Sequence, residues 1–209
     1  MSSQVVRFLQ QENQRLIEEN RLLREQVIAM RGYLEGLRAL QRAAETITAQ
    51  DEPLALLDRT LYSALTVLDA ADGSILLLDR ETDELVFVVV HGEVRQALRG
   101  HRIPANAGIA GWVASNKEPQ IVNNVRADQR FYDAIDEAFQ FMTHSMLCAP
   151  MISRDRVLGV MEVLNKFDQR AFTAADADLL STLASIAAAV IDRLESEQGG
   201  RLVHSDSSR

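Results

Sequence analysis

A single carboxylate inside an apolar run is the residue of this sequence whose setting most directly indicates a binding site. Residues 145–166 form two apolar runs separated by the polar residues 153–156, a pattern that predicts a β-hairpin. Glu162 lies in the middle of the second run. A carboxylate that loses its hydration there requires a hydrogen-bond donor, either from the protein or from a ligand.

The second run is typical of a central strand, because both of its faces are apolar. Strict alternation divides its side chains between two faces: Glu162 with Leu158, Val160 and Leu164 on one, and Val157, Met161 and Val163 on the other. We therefore expect layers of structure on both sides of this strand.

Few other residues are candidates for chemistry. The lone cysteine, Cys148, excludes an intramolecular disulfide and a cysteine-based metal cluster, and its apolar surroundings predict an inert core residue. The histidines have neither metal-ligand spacing nor a position beside the cysteine: they are His91, His101, His144 and His204. We therefore expect no metal site and no catalytic set, which argues against an enzyme.

The overall composition narrows the class of protein. A chain of 209 residues with 47% hydrophobic side chains can form one domain with an extension. A net charge of −8 disfavours nucleic acid and anionic membrane surfaces as partners. The N-terminus lacks a signal pattern, and no apolar run approaches the roughly 20 residues of a membrane span. These features predict a cytoplasmic protein.

The N-terminal region carries a heptad repeat from residue 6 to residue 44. Its d positions are all apolar: Leu9, Leu16, Leu23, Met30, Leu37 and Ala44. Asn13 and Asn20 occupy a positions, where buried asparagine fixes the register of parallel two-stranded coils. The pattern predicts a coiled-coil dimerisation helix over residues 1–48 and a parallel homodimer. The alternative is an amphipathic helix that packs on its own domain.

Residues 49–197 read as one globular domain, and the Ser-rich residues 198–209 as a disordered tail. The capping box of Thr173 and Asp176 marks the start of a long last helix. The predicted order is a helix to residue 68, a hairpin (74–79 and 85–90), an extended 102–104, a helix opened by Gly108, a strand at 120–122, a short helix in a mobile excursion at 128–141, the hairpin of Glu162 and a helix over 174–195.

Several short motifs strengthen this order. They are Arg102-Ile-Pro-Ala, Gly108-Ile-Ala-Gly, Arg130-Phe-Tyr, Leu147-Cys-Ala-Pro, Leu158-Gly-Val-Met-Glu and Asn165-Lys166. Over residues 50–195 the chain resembles the cyclic-nucleotide-binding GAF domains of phosphodiesterases and of cyanobacterial adenylyl cyclases. The resemblance implies an α+β fold with a central, mostly antiparallel sheet of five or six strands and helices on both faces. A bacterial source fits it as well.

The resemblance also implies a ligand site. It places the backbone N–H groups of Ile109 and Ala110 at a cyclic phosphate, which suits the donors of a helix N-terminus. It places Asp136, Thr143 and Glu162 at the purine or ribose. Two alternatives remain: the glycine-opened helix start serves packing alone, and Glu162 bonds the protein's own backbone.

Two positions depart from the family pattern at this site. Val90 and His91 stand where the family has an aromatic residue for stacking and then an aspartate for the base. Valine cannot stack on a base, and histidine changes its donor and acceptor character with pH.

The resemblance extends to a motif that closes the family's ligand loop. Its members here are Asn165, Lys166, Phe172 and Asp176, while the final acid of the family motif is replaced by Ala177. In the family the Lys166 and Asp176 positions pair without touching the ligand. The alternative is that Asp176 serves only the cap of Thr173.

These features together predict a non-enzymatic sensor. We expect a dimer whose GAF pockets bind a small anionic ligand, with cGMP or cAMP as first candidates, and whose helices relay the bound state to a signalling partner such as a kinase or cyclase. The competing expectation is a ligand-free GAF body that serves as a dimerisation scaffold.

Overall fold

The computed structural model describes residues 7, 11–21, 23, 53–167 and 169–197. The globular part is an α+β domain with six strands in one sheet. In chain order its elements are α1 Pro53–Leu68, β1 Ala70–Asp79, β2 Glu84–His91, α2 Arg95–Leu98, β3 Arg102–Pro104, α3 Gly108–Asn116, β4 Gln120–Val122, a 3₁₀ turn Val125–Ala127, α4 Ala134–Phe139, β5 Met146–Ser153, β6 Arg156–Lys166 and α5 Ala174–Glu197.

The strand order is β3-β2-β1-β6-β5-β4, and every neighbouring pair is antiparallel. The two hairpins β1–β2 and β5–β6 are the predicted ones, and they join along β1 and β6. Strand β6 is therefore central, as the apolar character of both its faces predicted. Helix α2 was missed, because four residues show no periodicity. The short helix predicted within residues 128–141 is the six-residue α4, and a 3₁₀ turn directly precedes this segment.

The face assignment of two residues in β6 was wrong. Leu158 packs in the core beneath α1 and α5, whereas Val157 packs in the core on the opposite face. The register shifts between Met151 and Ile152, so that Ile152 pairs with Val157 while Met151 pairs with Gly159. A β-bulge adds one residue to one strand and thereby reverses the alternation on its far side. From Val160 onward the predicted faces are correct.

Helices cover both faces of the sheet. Helices α1 and α5 cover one face over a core that includes Leu61, Met161 and Leu180, all fully buried. Helix α3 covers the other face through Ile109 and Val113. Six antiparallel strands with helices on both sides confirm the predicted fold class.

The central strand is joined to α5 at both of its ends by ion pairs. At the start of β6, Arg156 donates to Asp192 at 2.7 Å. At its end, Lys166 donates to Asp176 at 2.7 Å. Because Asp176 and Asp192 lie near opposite ends of α5, the strand that carries Glu162 and the longest helix of the domain are joined as one unit.

The structure describes only part of the predicted coiled-coil region and none of the predicted tail. Residues 11–21 are helical, and Leu16, Ile17 and Leu23 expose about half of their surface or more in the single chain. Most of the predicted coiled coil and the whole tail lie outside the described residues, so the parallel dimer stays a prediction. One described helix, Ala174–Ser196, is long and apolar enough to cross a membrane, a property that core helices share. Here its apolar side packs on the sheet.

Candidate functional site

A cavity lies on the α3 face of the sheet, between β1, β2 and β6 on one side and α3 and α4 on the other. It encloses about 690 Å³ of non-atom space, a figure that includes its opening to solvent. Most of its wall is apolar, with Phe87, Leu98, Ile103, Phe131, Ile135, Phe141, Met146 and Leu164 among the lining residues.

Glu162 is one of the polar side chains in this mostly apolar wall. Strand register places it between Ser74 of β1 and Cys148 of β5, so that the three side chains share one face of the sheet. The Ser74 hydroxyl donates a hydrogen bond of 2.8 Å to Oε2 of Glu162. Burial raises the pKa of Glu162 to about 7, and the Ser74 hydrogen bond opposes this increase. The carboxyl thus changes charge near neutral pH.

The neighbouring thiol does not compete for this role. Cys148 is fully buried, and burial together with the nearby Glu162 carboxyl raises the pKa of the thiol well above its usual range. A thiol in this setting stays protonated and is a poor nucleophile. The predicted inert core cysteine is in agreement with this environment.

The N-terminus of α3 faces the cavity. Gly108 opens the helix at φ +68°, and a Cβ built there would meet the Cβ of Tyr132 at 3.0 Å, so the position favours glycine. Ala107 is the N-cap and has no side chain that can bond the first N–H groups. Ile109 and Ala110 follow, and both line the cavity. The helix start therefore presents backbone donors and a partial positive charge suited to an anion.

Asp136 lines the cavity, but the protein already supplies its hydrogen-bond donors. The backbone N–H of Thr143 donates to Oδ2 at 2.9 Å and its hydroxyl donates to Oδ1 at 2.7 Å. Arg126 of the 3₁₀ turn donates to the same carboxylate and also stacks over Phe131. Asp136 and Thr143 therefore fasten α4 over the cavity, whether or not they meet a ligand.

The two residues of β2 that depart from the family pattern, Val90 and His91, contact different parts of the protein. Val90 packs in the apolar core on the cavity side of the sheet. His91 has its Nε2 atom 3.1 Å from Oδ1 of Asp58 on α1, and its ring lies near the ring of Tyr62. The imidazole is thus engaged by α1, although His91 also contributes to the cavity wall.

The four residues of the predicted closing motif lie at the end of β6, just before α5 and in the first turn of α5. The Asn165 side chain accepts from the N–H groups of His144 and Ser145 and donates to the carbonyl of Met142, which holds the segment before β5. Lys166 pairs with Asp176 and lies 5.4 Å from the ring centroid of the buried Phe172.

The two roles considered for Asp176 occur together. Its backbone N–H donates to the Thr173 hydroxyl at 3.3 Å, and its Oδ2 accepts from the Thr173 N–H at 2.7 Å. The same Oδ2 accepts from Lys166. The capping box and the Lys166 ion pair are therefore parts of one network.

The lining has an unusual balance of charge. It contains the carboxyl groups of Asp72, Asp136 and Glu162, whereas no lysine or arginine is among the described residues that line it. No group of three metal-ligating side chains occurs in the described part of the chain. Among the lining groups, the backbone N–H groups at the start of α3 carry partial positive charge.

All seven residues predicted for the ligand site line this one cavity: Val90, His91, Ile109, Ala110, Asp136, Thr143 and Glu162. Their ligand-binding role stays a prediction. Sequence reasoning missed the partners Ser74, Arg126 and Asp58. Ser74 is a polar residue in a buried strand and so carried a signal, whereas Arg126 and Asp58 are ordinary surface residue types.

Comparison with known sequences points to one family. A family model for the GAF domain matches residues 50–192. The chain is 31% identical over 139 residues to the probable 3′,5′-cyclic phosphodiesterase pde-5 of Caenorhabditis elegans, which covers 62% of this chain and 19% of that protein. It is 37% identical over 84 residues to the dual 3′,5′-cyclic-AMP and -GMP phosphodiesterase 11 of Drosophila melanogaster, which covers 40% of this chain and 6% of that protein. The chain spans less than a fifth of the length of these relatives.

Solved structures share the fold at lower identity. The GAF domain of a phosphoenolpyruvate-protein phosphotransferase from Coxiella burnetii matches with a TM-score of 0.70 at 18% identity, over 79% of this chain and 98% of that one. The free methionine-R-sulfoxide reductase of Neisseria meningitidis matches with a TM-score of 0.63 at 21% identity, over 78% and 91% of the two chains. The match of the family model over most of the globular part, together with this shared fold, shows that the chain belongs to the GAF domain family.

Proposed function

We propose that this GAF domain is a sensor that binds a small anionic ligand in the cavity, with the cyclic nucleotides cGMP and cAMP as first candidates. The observation that supports the proposal is the pairing of two features in one cavity. The start of α3 offers donors to a phosphate, and Glu162 with Ser74 offers hydrogen-bonding groups to a base. The phosphodiesterase relatives, named for cyclic nucleotides, add to this support.

The output of the sensor is a change in its helices that a partner protein reads. Strand β6 carries Glu162 and is tied to α5 through Asp176 and Asp192. A ligand that displaces β6 must therefore move α5 or break one of these ion pairs. We propose that the chain acts as a cytoplasmic parallel homodimer through residues 6–48, without catalytic activity of its own, on a signalling protein such as a kinase or cyclase.

A second candidate is a ligand-free scaffold. The observation that favours it is that three of the predicted ligand residues already have protein partners: Asp136 bonds Arg126, Thr143 bonds Asp136, and His91 bonds Asp58. A network complete in itself requires no ligand for its stability.

A thermal-shift titration separates the two candidates. A ligand at about a hundred times its dissociation constant adds roughly 2.7 kcal/mol to the folded state, provided that it does not bind the unfolded chain. At about 2 to 4 °C per kcal/mol, the expected rise is roughly 5 to 10 °C. The titration should reach millimolar cGMP and cAMP, with the linear monophosphates beside them.

Two variants make the result specific to the cavity. Gly108→Ala forces a side chain onto the positive-φ position at the start of α3 and should weaken binding of either nucleotide. Glu118→Gln on the exposed segment after α3 is the control and should bind as the wild type does. No shift with any of the four nucleotides, from a folded protein, would favour the scaffold.

A further inference from the structure

We propose that Glu162 determines which hydrogen-bonding edge of a base the cavity accepts, and that its selectivity for guanine holds above neutral pH and is lost below it. The ionised carboxylate selects an edge with two adjacent donors, as in guanine, whereas the neutral acid accepts an edge with a donor beside an acceptor, which guanine and adenine both present. The inference rests on the proposed binding of a cyclic nucleotide in this cavity.

The immediate surroundings of Glu162 favour neither charge state strongly. Its neighbours on the two flanking strands are Ser74 and Cys148, both uncharged, and its side chain is 95% buried in an apolar wall. The Ser74 hydroxyl donates to Oε2 and supports the carboxylate, while the loss of hydration supports the neutral acid. The balance of these two effects raises the pKa of Glu162 to about 7.

The other titratable groups that line the cavity have partners other than Glu162. Asp72 of β1 is partly buried, which raises its pKa, and it accepts from the backbone N–H of Glu93. His91 of β2 lies against Asp58 of α1. The remaining groups are few: Asp136 of α4 is paired with Arg126, Tyr132 before α4 is exposed, and α3 contributes backbone N–H groups. Cys148 of β5, which pairs with Glu162 in the sheet, is a neutral thiol.

The change in selectivity follows from the number of hydrogen bonds that each pairing can form. A carboxylate only accepts, so it can bond both N1–H and the amino group of guanine, whereas the N1 lone pair of adenine repels it. A neutral carboxylic acid donates through its O–H and accepts through its carbonyl oxygen. It can therefore bond N1 and the amino group of adenine together, or O6 and N1–H of guanine together, and it does not distinguish the two bases.

The size of the effect follows from the fraction of ionised Glu162. With a pKa of about 7, that fraction rises from about 0.1 at pH 6 to about 0.9 at pH 8. If cAMP binds the neutral acid only and cGMP binds both charge states, the affinity for cAMP falls about tenfold over this interval while the affinity for cGMP changes little. The ratio of the two affinities then changes by about tenfold in favour of cGMP.

Isothermal titration calorimetry on the full chain measures these affinities. Dissociation constants for cGMP and cAMP at pH 6, 7 and 8 should show that the ratio of affinities shifts about tenfold towards cGMP in the wild type. Glu162→Gln cannot titrate and should show a ratio that is independent of pH, while it retains both Asp72 and His91. Glu118→Gln, the same chemical change on an exposed residue, should keep the wild-type dependence on pH.

A second measurement on the wild type needs no variant. At pH 7 about half of the Glu162 carboxyls are ionised, so cAMP binding should take up about half a proton, whereas cGMP binding should take up none. Calorimetry in buffers of different ionisation enthalpy reports this number and its sign.

The outcomes separate this inference from the proposed function. Binding of both nucleotides with a ratio that pH leaves unchanged, or a change in the ratio that persists in Glu162→Gln, overturns the inference alone. Binding of cAMP at pH 7 without proton uptake also overturns it. No binding of either nucleotide at any pH overturns the proposed function and the inference with it.

Discussion

Glu162 should make the stability of this domain depend on pH in a way that one substitution removes. Its pKa is about 7 in the folded protein, against an ordinary value of 4.5. Between these values the folded state binds a proton that the unfolded chain has already lost. The free energy of unfolding therefore falls as the pH rises from about 4.5 to about 7, and this contribution is constant above that interval.

The magnitude follows from the same pKa difference. At about 1.4 kcal/mol per pKa unit, the interval from 4.5 to about 7 corresponds to about 3 kcal/mol. Glu162→Gln keeps the shape of the side chain and carries no charge at any pH. Relative to the wild type, the variant should gain about 3 kcal/mol of stability between pH 4.5 and pH 8, or about 6 to 12 °C in melting temperature.

Thermal and urea denaturation followed by circular dichroism at half-unit pH steps provides the test. The difference between wild type and Glu162→Gln at each pH cancels the contributions of all other titrating groups. Glu118→Gln is the matched control, because its carboxylate is exposed and the same substitution there should leave the pH profile unchanged. A wild-type minus Glu162→Gln difference that is flat with pH would refute the reasoning, since it would mean that Glu162 ionises in the fold as it does in water.

Two further predictions concern the ends of the domain. The Arg156 guanidinium lowers the pKa of Asp192, so Asp192→Asn should lower the melting temperature at neutral pH. This loss should disappear as the pH falls through the depressed pKa of the wild-type carboxyl. The control Asp178→Asn, on the exposed side of α5, should have little effect. Multi-angle light scattering should give the mass of two chains at micromolar concentration, and replacement of Asn13 and Asn20 by leucine should raise thermal stability while it loosens the control of strand number. A monomeric mass would contradict the parallel coil.

The helices and strands of the fold were predicted more accurately than the register in which the strands pair. The alternation around Glu162 indicated a strand with two covered faces, and the structure confirms this position at the centre of the sheet. The bulge opposite Ile152 exchanged the faces of Val157 and Leu158, because no residue type marks a bulge reliably. Local periodicity in the sequence indicates the strand, but it does not indicate where the pairing with the neighbouring strand shifts by one residue.

The candidate site was predictable in its members but not in their partners. The sequence alone indicated that Glu162 needs a donor, yet Ser74 lies 88 residues away and meets it only through the register of β1 and β6. Arg126 is only ten residues from Asp136, but a 3₁₀ turn and a short helix position the pair, and neither has a strong periodic signal. Tertiary geometry therefore decided which carboxylate is already paired.

This distinction decides which of the two carboxylates can respond to a ligand. Asp136 has three donors from the protein, so a ligand that bonds it must compete with Arg126 and both donors of Thr143. Glu162 has one donor from Ser74, and its second carboxylate oxygen receives no hydrogen bond from the described residues. A buried carboxyl with spare acceptor capacity gains more from a new donor than one whose acceptors are filled. Ligand selectivity in this cavity should therefore depend on Glu162, while Asp136 keeps the cover of the cavity in place.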